Sequence, residues 1–505
     1  MKNFAQLLSK IAYIIAGAIL LFLALKSVTC SYHFDLYNLS SALFTVKDRF
    51  YITLPLSITL MGLFFALSKL LFKNLDETVK RKRLNLISII VSSLIFVILL
   101  IWVICTLIPP YWDQMQVYLD AQNFNNGDYS DMELAYLSMY PQQYGLIFFE
   151  SLLLKIYNHY GFLQAINALF IALTVFVGTK LTVEISSSYE AGFFGLCFLS
   201  TCFPLFYYVS FVYGDVFFIF SAVLVSFLTI KFIKTGKWGY IIGGLITSLI
   251  MIPVRENSLI FLISLSILLI LYSMKNKSLR LFVLALLYIL LPLLSNKAIE
   301  GYYENKCDID INEKEMPAIN WIVMGLQGDP YTGSVVGYYN GFNLGTWSLY
   351  SGDKEIINEV SKEFFNDRIS EFKSNPRFAA DFFIVKASEQ WLDPFFESTQ
   401  MTFNSDVDYN SIKLLYNSKT MGIVRFYMNL FQTSVYLLAF AYIVYCVRRK
   451  KEFYSLVLAV GFIGGFLFSL IWEAKGRYTF PFFIMLIPIA ACGLANIINA
   501  IKRKD

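Results

Sequence analysis

Apolar residues occur along this chain in long, nearly uninterrupted runs separated by polar segments. A helix needs about 20 apolar residues to cross a hydrocarbon core about 30 Å thick, because lipid offers no partner for an exposed backbone amide. The runs therefore predict an all-α polytopic membrane protein, a helical bundle of about twelve transmembrane helices (about 11–13) with interfacial helices. The expected spans lie near residues 9–28, 51–72, 85–108, 162–182, 191–209, 215–234, 238–254, 257–274, 279–296, 424–447, 455–472 and 477–500.

The run at residues 143–157 is ambiguous. It is short for a crossing and carries Glu150 and Lys155, so we interpret it as an interfacial helix. This choice places every strong basic cluster on the side of the amino terminus, as the positive-inside rule requires of cytoplasmic loops. Both termini are therefore predicted to be cytoplasmic. The basic residues are Lys73, Lys80, Arg81, Lys82, Arg83, Lys231, Lys234, Lys237, Lys275, Lys277, Arg280, Arg448, Arg449, Lys450, Lys451, Lys502, Arg503 and Lys504.

The spans divide the chain into four predicted parts. They are two N-terminal transmembrane helices with a basic loop (1–84), a transmembrane core (85–296) whose first outer loop is 109–161, an extracytoplasmic domain (297–422), and C-terminal transmembrane helices (423–505). The extracytoplasmic domain holds 19 Asp plus Glu against 11 Lys plus Arg. From Lys354 to Phe396, apolar residues recur three or four apart on either side of Pro376, which predicts two amphipathic helices.

Composition supports the membrane class and excludes some chemistry. Of the 505 residues, 57% are apolar, which exceeds the apolar share of soluble domains, and only 15% are charged. Seven scattered cysteines indicate neither a disulfide framework nor a zinc motif. Because His33 and His159 are the only histidines, proton transfer would depend on carboxylates, and a zinc site built on imidazole is not expected.

Two carboxylates are candidates for chemistry at the outer ends of spans. Asp113 follows the third apolar run after Pro109-Pro110-Tyr111-Trp112, and Asp215 opens a later span after Tyr213-Gly214. Each could serve as a base, or each could simply cap the helix that follows it by accepting hydrogen bonds from free amides. Capping and proton transfer are compatible, so both alternatives stay open for each residue.

Three cations are expected on the same outer side. Arg255, Lys475 and Arg477 oppose the usual orientation bias, and charges near hydrocarbon are costly unless they are paired. One interpretation pairs them with Glu256 and Glu473, as a purely structural arrangement. The other is that they hold an anionic phosphate, for which arginine offers a planar bidentate fork.

Several motifs together resemble a known family, the GT-C superfamily of polyprenyl-phosphate-sugar-dependent glycosyltransferases. The likeness is greatest to integral membrane glycosyltransferases of Gram-positive bacteria that decorate cell-wall polysaccharides or teichoic acids, and it covers about residues 85–500. Two features depart from the family: Asn320 stands where a histidine is expected, and the tryptophan-tryptophan-aspartate signature of oligosaccharyltransferases is missing. The motifs are Trp112-Asp113, Gly127-Asp128-Tyr129-Ser130, Tyr140-Pro141-Gln142-Gln143, Tyr213-Gly214-Asp215, Arg255-Glu256-Asn257, Trp321 to Leu326, Gly337 to Asn340, Lys386 with Trp391 to Pro394, and Trp472 to Tyr478.

The resemblance implies roles for individual residues. It makes Asp113 the base that deprotonates the acceptor, with Asp215 assisting. The residues expected to bind the donor phosphate are Arg255, Lys475, Arg477 and Tyr478, with Lys386 as a further phosphate or acceptor contact. Acceptor or loop contacts are expected from Asp128, Gln143 and Glu473.

The resemblance also implies the substrates and the location. An inverting transfer would move a sugar from a polyprenyl (undecaprenyl) phosphate to a cell-envelope acceptor on the extracytoplasmic face of the plasma membrane. No metal is expected to be obligatory, although a divalent metal is possible beside the carboxylates. The expected partners are the lipid-linked donor, a cell-wall polymer and the bilayer, with no nucleic acid. Two alternatives stay open: a transporter or flippase of lipid-linked glycans, and a polymerase or ligase with a pyrophosphate-linked donor.

Overall fold

The computed structural model of the chain describes residues 2–34, 43–133, 135–332, 335–399, 419–448 and 454–501. Two of the basic groups named above, residues 449–451 and 502–504, lie outside the described residues. The described chain is almost entirely helical, with one small exception. A two-stranded antiparallel ribbon follows the first helix, which the expectation of an all-α protein did not include.

The N-terminal part and the first outer loop contain the ribbon, three long helices and several short ones. They are α1 (Lys2–Ser27), β1 (Cys30–Phe34), β2 (Leu43–Lys47), α2 (Phe50–Phe72), α3 (Glu77–Thr106), α4 (Asp113–Asn126), α5 (Ala135–Met139) and α6 (Tyr144–Leu154), with 3-10 turns at Ser130–Glu133 and Pro141–Gln143. Helix α6 has only 11 residues, too few to cross a bilayer. Its length agrees with the interfacial interpretation of residues 143–157.

The remaining helices form the core, the C-terminal part, and residues 297–422, which we call the outer domain after their predicted location. The core has α7 (Tyr160–Ser186), α8 (Tyr189–Ser200), α9 (Phe203–Tyr207), α10 (Asp215–Thr235), α11 (Trp238–Leu249), α12 (Met251–Val254), α13 (Ser258–Asn276) and α14 (Leu279–Cys307), with a 3-10 turn at Tyr208–Ser210. The outer domain has α15 (Ala318–Gly325), α16 (Phe342–Leu349), α17 (Lys354–Ser374) and α18 (Pro376–Trp391). The C-terminal part has α19 (Lys419–Arg448), α20 (Leu456–Ile471), α21 (Gly476–Ile484) and α22 (Leu486–Ile501).

Eight helices among the described residues are long and apolar enough to cross a membrane: α1, α2, α3, α7, α10, α13, α14 and α19. The number rises to ten if two bent pairs are each one span. These pairs are α8 with α9 and its 3-10 turn, bent by 53°, and α21 with α22, bent by 43°. The expected spans at 238–254 and 455–472 are helical but shorter. The described residues therefore support a multi-pass membrane protein with eight to ten candidate membrane-spanning helices, and the arrangement of twelve spans stays a prediction.

The two N-terminal spans are packed into the bundle. Helix α1 lies along α19, and the Tyr13 hydroxyl contacts the Ser455 hydroxyl at 2.9 Å. The ribbon reaches the outer domain, where the Tyr32 backbone N–H donates to the Leu392 carbonyl at 3.0 Å. The first two spans therefore brace the C-terminal helices and the outer domain.

The outer domain is built around α17 and α18, as the apolar spacing predicted. Asn375 separates the two helices and caps α18 by accepting a hydrogen bond from the Phe378 N–H at 3.1 Å. The buried residues of the small apolar core are Leu326, Val336, Phe372, Phe378 and Phe382. The parts of this domain at residues 333–334 and 400–418 lie outside the described residues.

Paired basic residues lie at one end of the helices, and the candidate site residues lie at the other. Lys80, in the first turn of α3, contacts Glu190 at 2.6 Å, whereas Asp113 follows the far end of α3. Since α3 has 30 residues, these ends are about 45 Å apart. Similarly, Lys231 near the end of α10 contacts Glu184 at 2.6 Å, whereas Asp215 begins that helix.

Close packing at Gly145 generates a test of the fold. A Cβ atom at Gly145 would lie 2.1 Å from the Pro253 carbonyl oxygen, so α6 can approach α12 only without a side chain there. We expect Gly145→Ala to lower stability by about 1–3 kcal/mol through overpacking. The control is Gly239→Ala in α11, where a Cβ meets no atom within 4 Å. Thermal unfolding of the detergent-purified chain measures both; equal melting temperatures for the two variants would contradict the packing.

Candidate functional site

Asp113 occupies the first turn of α4 and is exposed. The residue in the cap position is Trp112, whose backbone φ of 51° is rare for a bulky residue and whose side chain makes no capping hydrogen bond. Of the two alternatives for Asp113, the structure therefore does not support helix capping. Asp113 makes no ion pair within the described parts of the chain, which leaves its carboxylate available to a ligand.

Asp215 is also the first residue of its helix, and its partner is an arginine. Asp215 Oδ1 lies 3.2 Å from Arg255 Nη2, and both side chains are largely buried. Gly214 occupies the cap position with φ of 82°, and a Cβ there would come within 2.8 Å of the Val254 carbonyl oxygen. This close approach brings Asp215 beside Arg255. Asp215 is thus an ion-pair partner rather than a helix cap. Among the described residues, Arg255 pairs with Asp215 and not with Glu256, the partner suggested by the sequence.

The segment before α21 carries a second charged group. Lys475 Nζ lies 2.9 Å from Glu473 Oε1, and Glu473 is almost fully buried. The Tyr478 hydroxyl donates to Glu473 Oε2 at 3.1 Å and accepts from Arg477 Nη2 at 3.3 Å. Glu473, Lys475, Arg477 and Tyr478 therefore form one connected network.

Tyr213 joins the two charged groups into one cluster. We use this name for Tyr213, Asp215, Arg255, Glu473, Lys475, Arg477 and Tyr478. The guanidinium carbons of Arg255 and Arg477 each lie 5.2 Å from the centre of its ring, within the range of cation–π attraction. The Tyr213 hydroxyl accepts a hydrogen bond from Gln143 Nε2 at 2.9 Å and is 2.9 Å from the Tyr136 hydroxyl. The outer loop and the core therefore meet at this ring.

Asp113 lies near the hydroxyl groups of the same cluster. Burial raises the pKa of Tyr213, and the Asp113 carboxylate adds to the rise. The pKa values of Tyr136, Tyr140 and Tyr339 are also raised, in each case mainly by burial and further by Asp113. These hydroxyl groups stay protonated at neutral pH and can donate hydrogen bonds. The Asp113 carboxylate therefore acts electrostatically on the same tyrosine, Tyr213, that contacts the two arginines.

Lys475 lies between the cluster and the outer domain. Its Nζ is 5.8 Å from the ring centres of Tyr338 and Tyr339 and 5.9 Å from that of Tyr478. Burial opposes the charge on Lys475, but Glu473 beside it contributes to a pKa well above the usual lysine value. The ammonium is therefore charged at neutral pH.

The two arginines retain hydrogen-bonding capacity. Arg477 Nε and Arg255 Nη2 are buried and have no hydrogen-bond acceptor among the described residues, since the contact of Nη2 with Asp215 lacks hydrogen-bond geometry. Buried donors without acceptors are unfavourable by about 1–3 kcal/mol each. An anionic ligand would satisfy them, and this arrangement is suited to a phosphate group.

Two predicted site residues lie elsewhere. Asp128 follows the far end of α4, about 20 Å along that helix from Asp113. There it is exposed and accepts hydrogen bonds from the Ser130 backbone and hydroxyl. Lys386 has no exposed surface, and its ammonium donates to the carbonyls of Gly325 and Trp472. Neither residue lines the cluster, so a direct ligand contact through Lys386, or an acceptor contact through Asp128 beside Asp113, does not fit the geometry.

Asn320, where the resemblance led us to expect a histidine, is a core residue of the outer domain. It is fully buried, donates to the Thr346 hydroxyl at 2.8 Å and accepts from the Ser361 hydroxyl at 2.7 Å. Both ends of its amide are therefore used in packing α15 against α16 and α17.

Sequence reasoning missed two residues that organise the site, Tyr213 and Gln114. Gln114 Oε1 accepts a hydrogen bond from the Val212 N–H at 3.0 Å, which holds the start of α4 against the turn before Asp215. Gln114 directly follows the predicted carboxylate Asp113, and Tyr213 is two residues before the predicted carboxylate Asp215. A polar or aromatic neighbour was the available signal, but nothing local indicates that these neighbours join the two segments.

The comparisons with known proteins give no family. Neither a protein-family model nor a curated protein matches this chain. Among the described residues, no group of three or more His, Cys, Asp and Glu side chains is placed to hold a metal ion. The case for a function therefore depends on the geometry of the cluster.

The Asp215–Arg255 pair yields a stability prediction. We expect Asp215→Ala to lower the free energy of unfolding by about 3–5 kcal/mol, because it leaves a buried guanidinium without its counter-ion. The double variant Asp215→Ala/Arg255→Ala should lose about 1–3 kcal/mol less than the sum of the single variants. Denaturant unfolding in detergent measures this coupling.

The control for this comparison of single and double variants is the partly exposed ion pair of Lys354 and Glu315, which are 2.6 Å apart. Removing this pair should change stability by only about 0–1 kcal/mol. Strictly additive losses at Asp215 and Arg255 would show that the two residues do not interact as described.

Glu389 of the outer domain yields a pH prediction. Burial raises its pKa to about 8, from a usual value of 4.5, although the bond from the Val336 N–H opposes the rise. From about pH 4.5 to 8 the folded protein keeps a proton that the unfolded chain has released, so this contribution to stability is lost as pH rises. Glu389→Gln cannot ionise and can still accept from Val336.

We therefore expect the melting temperature of Glu389→Gln, relative to the wild type, to increase between about pH 5 and pH 9. The control Glu355→Gln makes the same change on the exposed surface of α17. A relative melting temperature of Glu389→Gln that is constant across this range, or that falls, would contradict the raised pKa.

Proposed function

We propose that this chain is an integral membrane glycosyltransferase. It moves a sugar from a polyprenyl phosphate, such as undecaprenyl phosphate, to a cell-wall polysaccharide, teichoic acid or similar acceptor outside the plasma membrane. One observation carries the proposal: Arg255 and Arg477 lie against the Tyr213 ring with unbonded donors, and the exposed carboxylate of Asp113 acts electrostatically on the same tyrosine. The transfer needs both a base and a cationic site for the departing phosphate.

The proposed step is a direct displacement with inversion. The acceptor hydroxyl oxygen forms a bond to the anomeric carbon while the bond from that carbon to the phosphate oxygen breaks. The electron pair of the broken bond stays on the phosphate, where Arg255, Arg477 and Lys475 stabilise the charge. Asp113 takes the acceptor proton and later releases it to solvent. Asp215 holds Arg255 in place through their ion pair.

The charge of the cluster favours a monophosphate donor. Arg255, Lys475 and Arg477 carry three positive charges, and Asp215 and Glu473 carry two negative ones. These five side chains together therefore have one positive charge in excess. A lipid phosphate sugar is a phosphodiester with a single negative charge. A pyrophosphate-linked donor carries two negative charges, which match the single excess positive charge less well. The polymerase or ligase alternative is disfavoured on this ground.

The position of the charges argues against a transporter. Transporters commonly bind substrate at broken helices near the middle of the bilayer. Here the cluster forms where α10 begins, next to the short segments that precede α13 and α21. A site at helix ends suits chemistry at the membrane surface.

The test is a transfer assay with the detergent-purified full chain. Radiolabelled undecaprenyl phosphate sugars, bearing glucose, galactose, mannose or N-acetylglucosamine, are supplied with purified wall polymer. We expect Asp113→Asn to reduce kcat by about 100-fold or more, because a positioned general base contributes about 10²–10⁴-fold. The matched control is Asp128→Asn, the same change at the other end of α4, which should leave the rate close to that of the wild type.

Three outcomes would contradict the proposal. Near-normal turnover of Asp113→Asn would remove this residue from the role of base. Preference for undecaprenyl pyrophosphate-linked oligosaccharides would favour a polymerase or ligase. Movement of labelled lipid across proteoliposomes without a covalent product would favour a flippase.

A further inference from the structure

Lys386 links three separate parts of the chain. It lies on α18 and has no exposed surface. Its ammonium donates to the Gly325 carbonyl at the end of α15 and, at 2.7 Å, to the Trp472 carbonyl at the end of α20. A buried ammonium that donates to two carbonyls binds backbone rather than ligand. Replacing it with an apolar side chain would leave both carbonyls without this donor.

The outer domain holds the residues after Trp472 by further hydrogen bonds. The Ala474 N–H donates to the Gly337 carbonyl at 2.7 Å, and the Gly476 N–H donates to Glu397 Oε1 at 2.7 Å. Every second backbone N–H of this segment is therefore bound by the outer domain. Residues 473–475 have no helical structure of their own, so these contacts determine the path of the backbone.

The side chains that the segment presents are those of Glu473 and Lys475. They are two residues apart and form an ion pair at 2.9 Å, which requires them to lie on the same side. That side contacts Tyr478 and, through it, Arg477. The outer domain thus holds the backbone while the charged side chains face the cluster.

We propose that Lys386 is a positioning residue that fixes the 472–476 segment so that Lys475 and Glu473 keep their place in the phosphate site. This inference rests on the proposed function for the role of Lys475. The placement of the segment itself can be measured without any substrate.

The first measurement is hydrogen–deuterium exchange of the full chain in detergent, followed on peptides that cover residues 470–480. Lys386→Met removes every donor, whereas Lys386→Gln keeps two N–H donors on a shorter side chain. We expect exchange at Ala474 and Gly476 to be on the order of tenfold faster in Lys386→Met and intermediate in Lys386→Gln, because local opening becomes easier. If Lys386→Met does not fold, the comparison of Lys386→Gln with the wild type carries the test. The matched control is Lys373→Met, the same change on the exposed surface of α17 in the same domain.

The second measurement separates positioning from general destabilisation. We expect Lys386→Met to raise KM for an undecaprenyl phosphate sugar by about tenfold, a change of about 1.4 kcal/mol in binding. In a Lys475→Met background the same substitution should have little further effect on KM, because its effect passes through Lys475.

The outcomes distinguish the two proposals. Unchanged exchange in both Lys386 variants, or a full additional KM effect in the Lys475→Met background, would overturn the positioning role. Faster exchange confined to residues 472–476 in the Lys386 variants, together with a wild-type protein that transfers no sugar, would support the positioning and contradict the glycosyltransferase proposal.

Discussion

The ion pair between Asp215 and Arg255 is the interaction on which the site depends. It joins the start of α10 to the break between α12 and α13, and both partners are largely buried. A lone arginine at that depth would be costly, so each partner makes the other possible. The pair also fixes the orientation of the guanidinium that lies against Tyr213. Arg477 and Gln143 of the first outer loop also contact Tyr213, so their positions depend on the same ring.

The site is assembled from segments that are distant in sequence. Gln114 holds the start of α4 to the Val212 backbone, and Gln164 of α7 donates to the carbonyls of Ile108 and Ser210 at 2.6 and 3.2 Å. These side-chain amides form hydrogen bonds with backbone groups that have no backbone partner in the described irregular turns. The helix ends are therefore held together by side-chain hydrogen bonds rather than by continuous secondary structure, which allows the charges to converge.

The sequence predicted most of the fold because long apolar runs and the amphipathic spacing around Pro376 are local signals. It also predicted the charged residues of the cluster, since charges at span ends are conspicuous. It could not predict their partners. The sequence placed Glu256 beside Arg255, but the structure pairs Arg255 with Asp215, forty residues earlier. Lys386 shows the same limit: its motif suggested a ligand contact, whereas its carbonyl partners lie 61 and 86 residues away.

A site that contains both a base and several cations faces a physical difficulty, because a free carboxylate and a free guanidinium would neutralise each other. At the candidate site Asp113 pairs with neither arginine, and both arginines lie against the Tyr213 ring instead. Its ring contacts Arg255 and Arg477, while its protonated hydroxyl is held by Gln143 and lies within the influence of Asp113. Within the described residues Asp113 makes no ion pair, and the arginines keep unbonded donors. In the proposed transfer, a donor phosphate would meet arginine donors that are not already satisfied, which is the condition for stabilising charge as it develops.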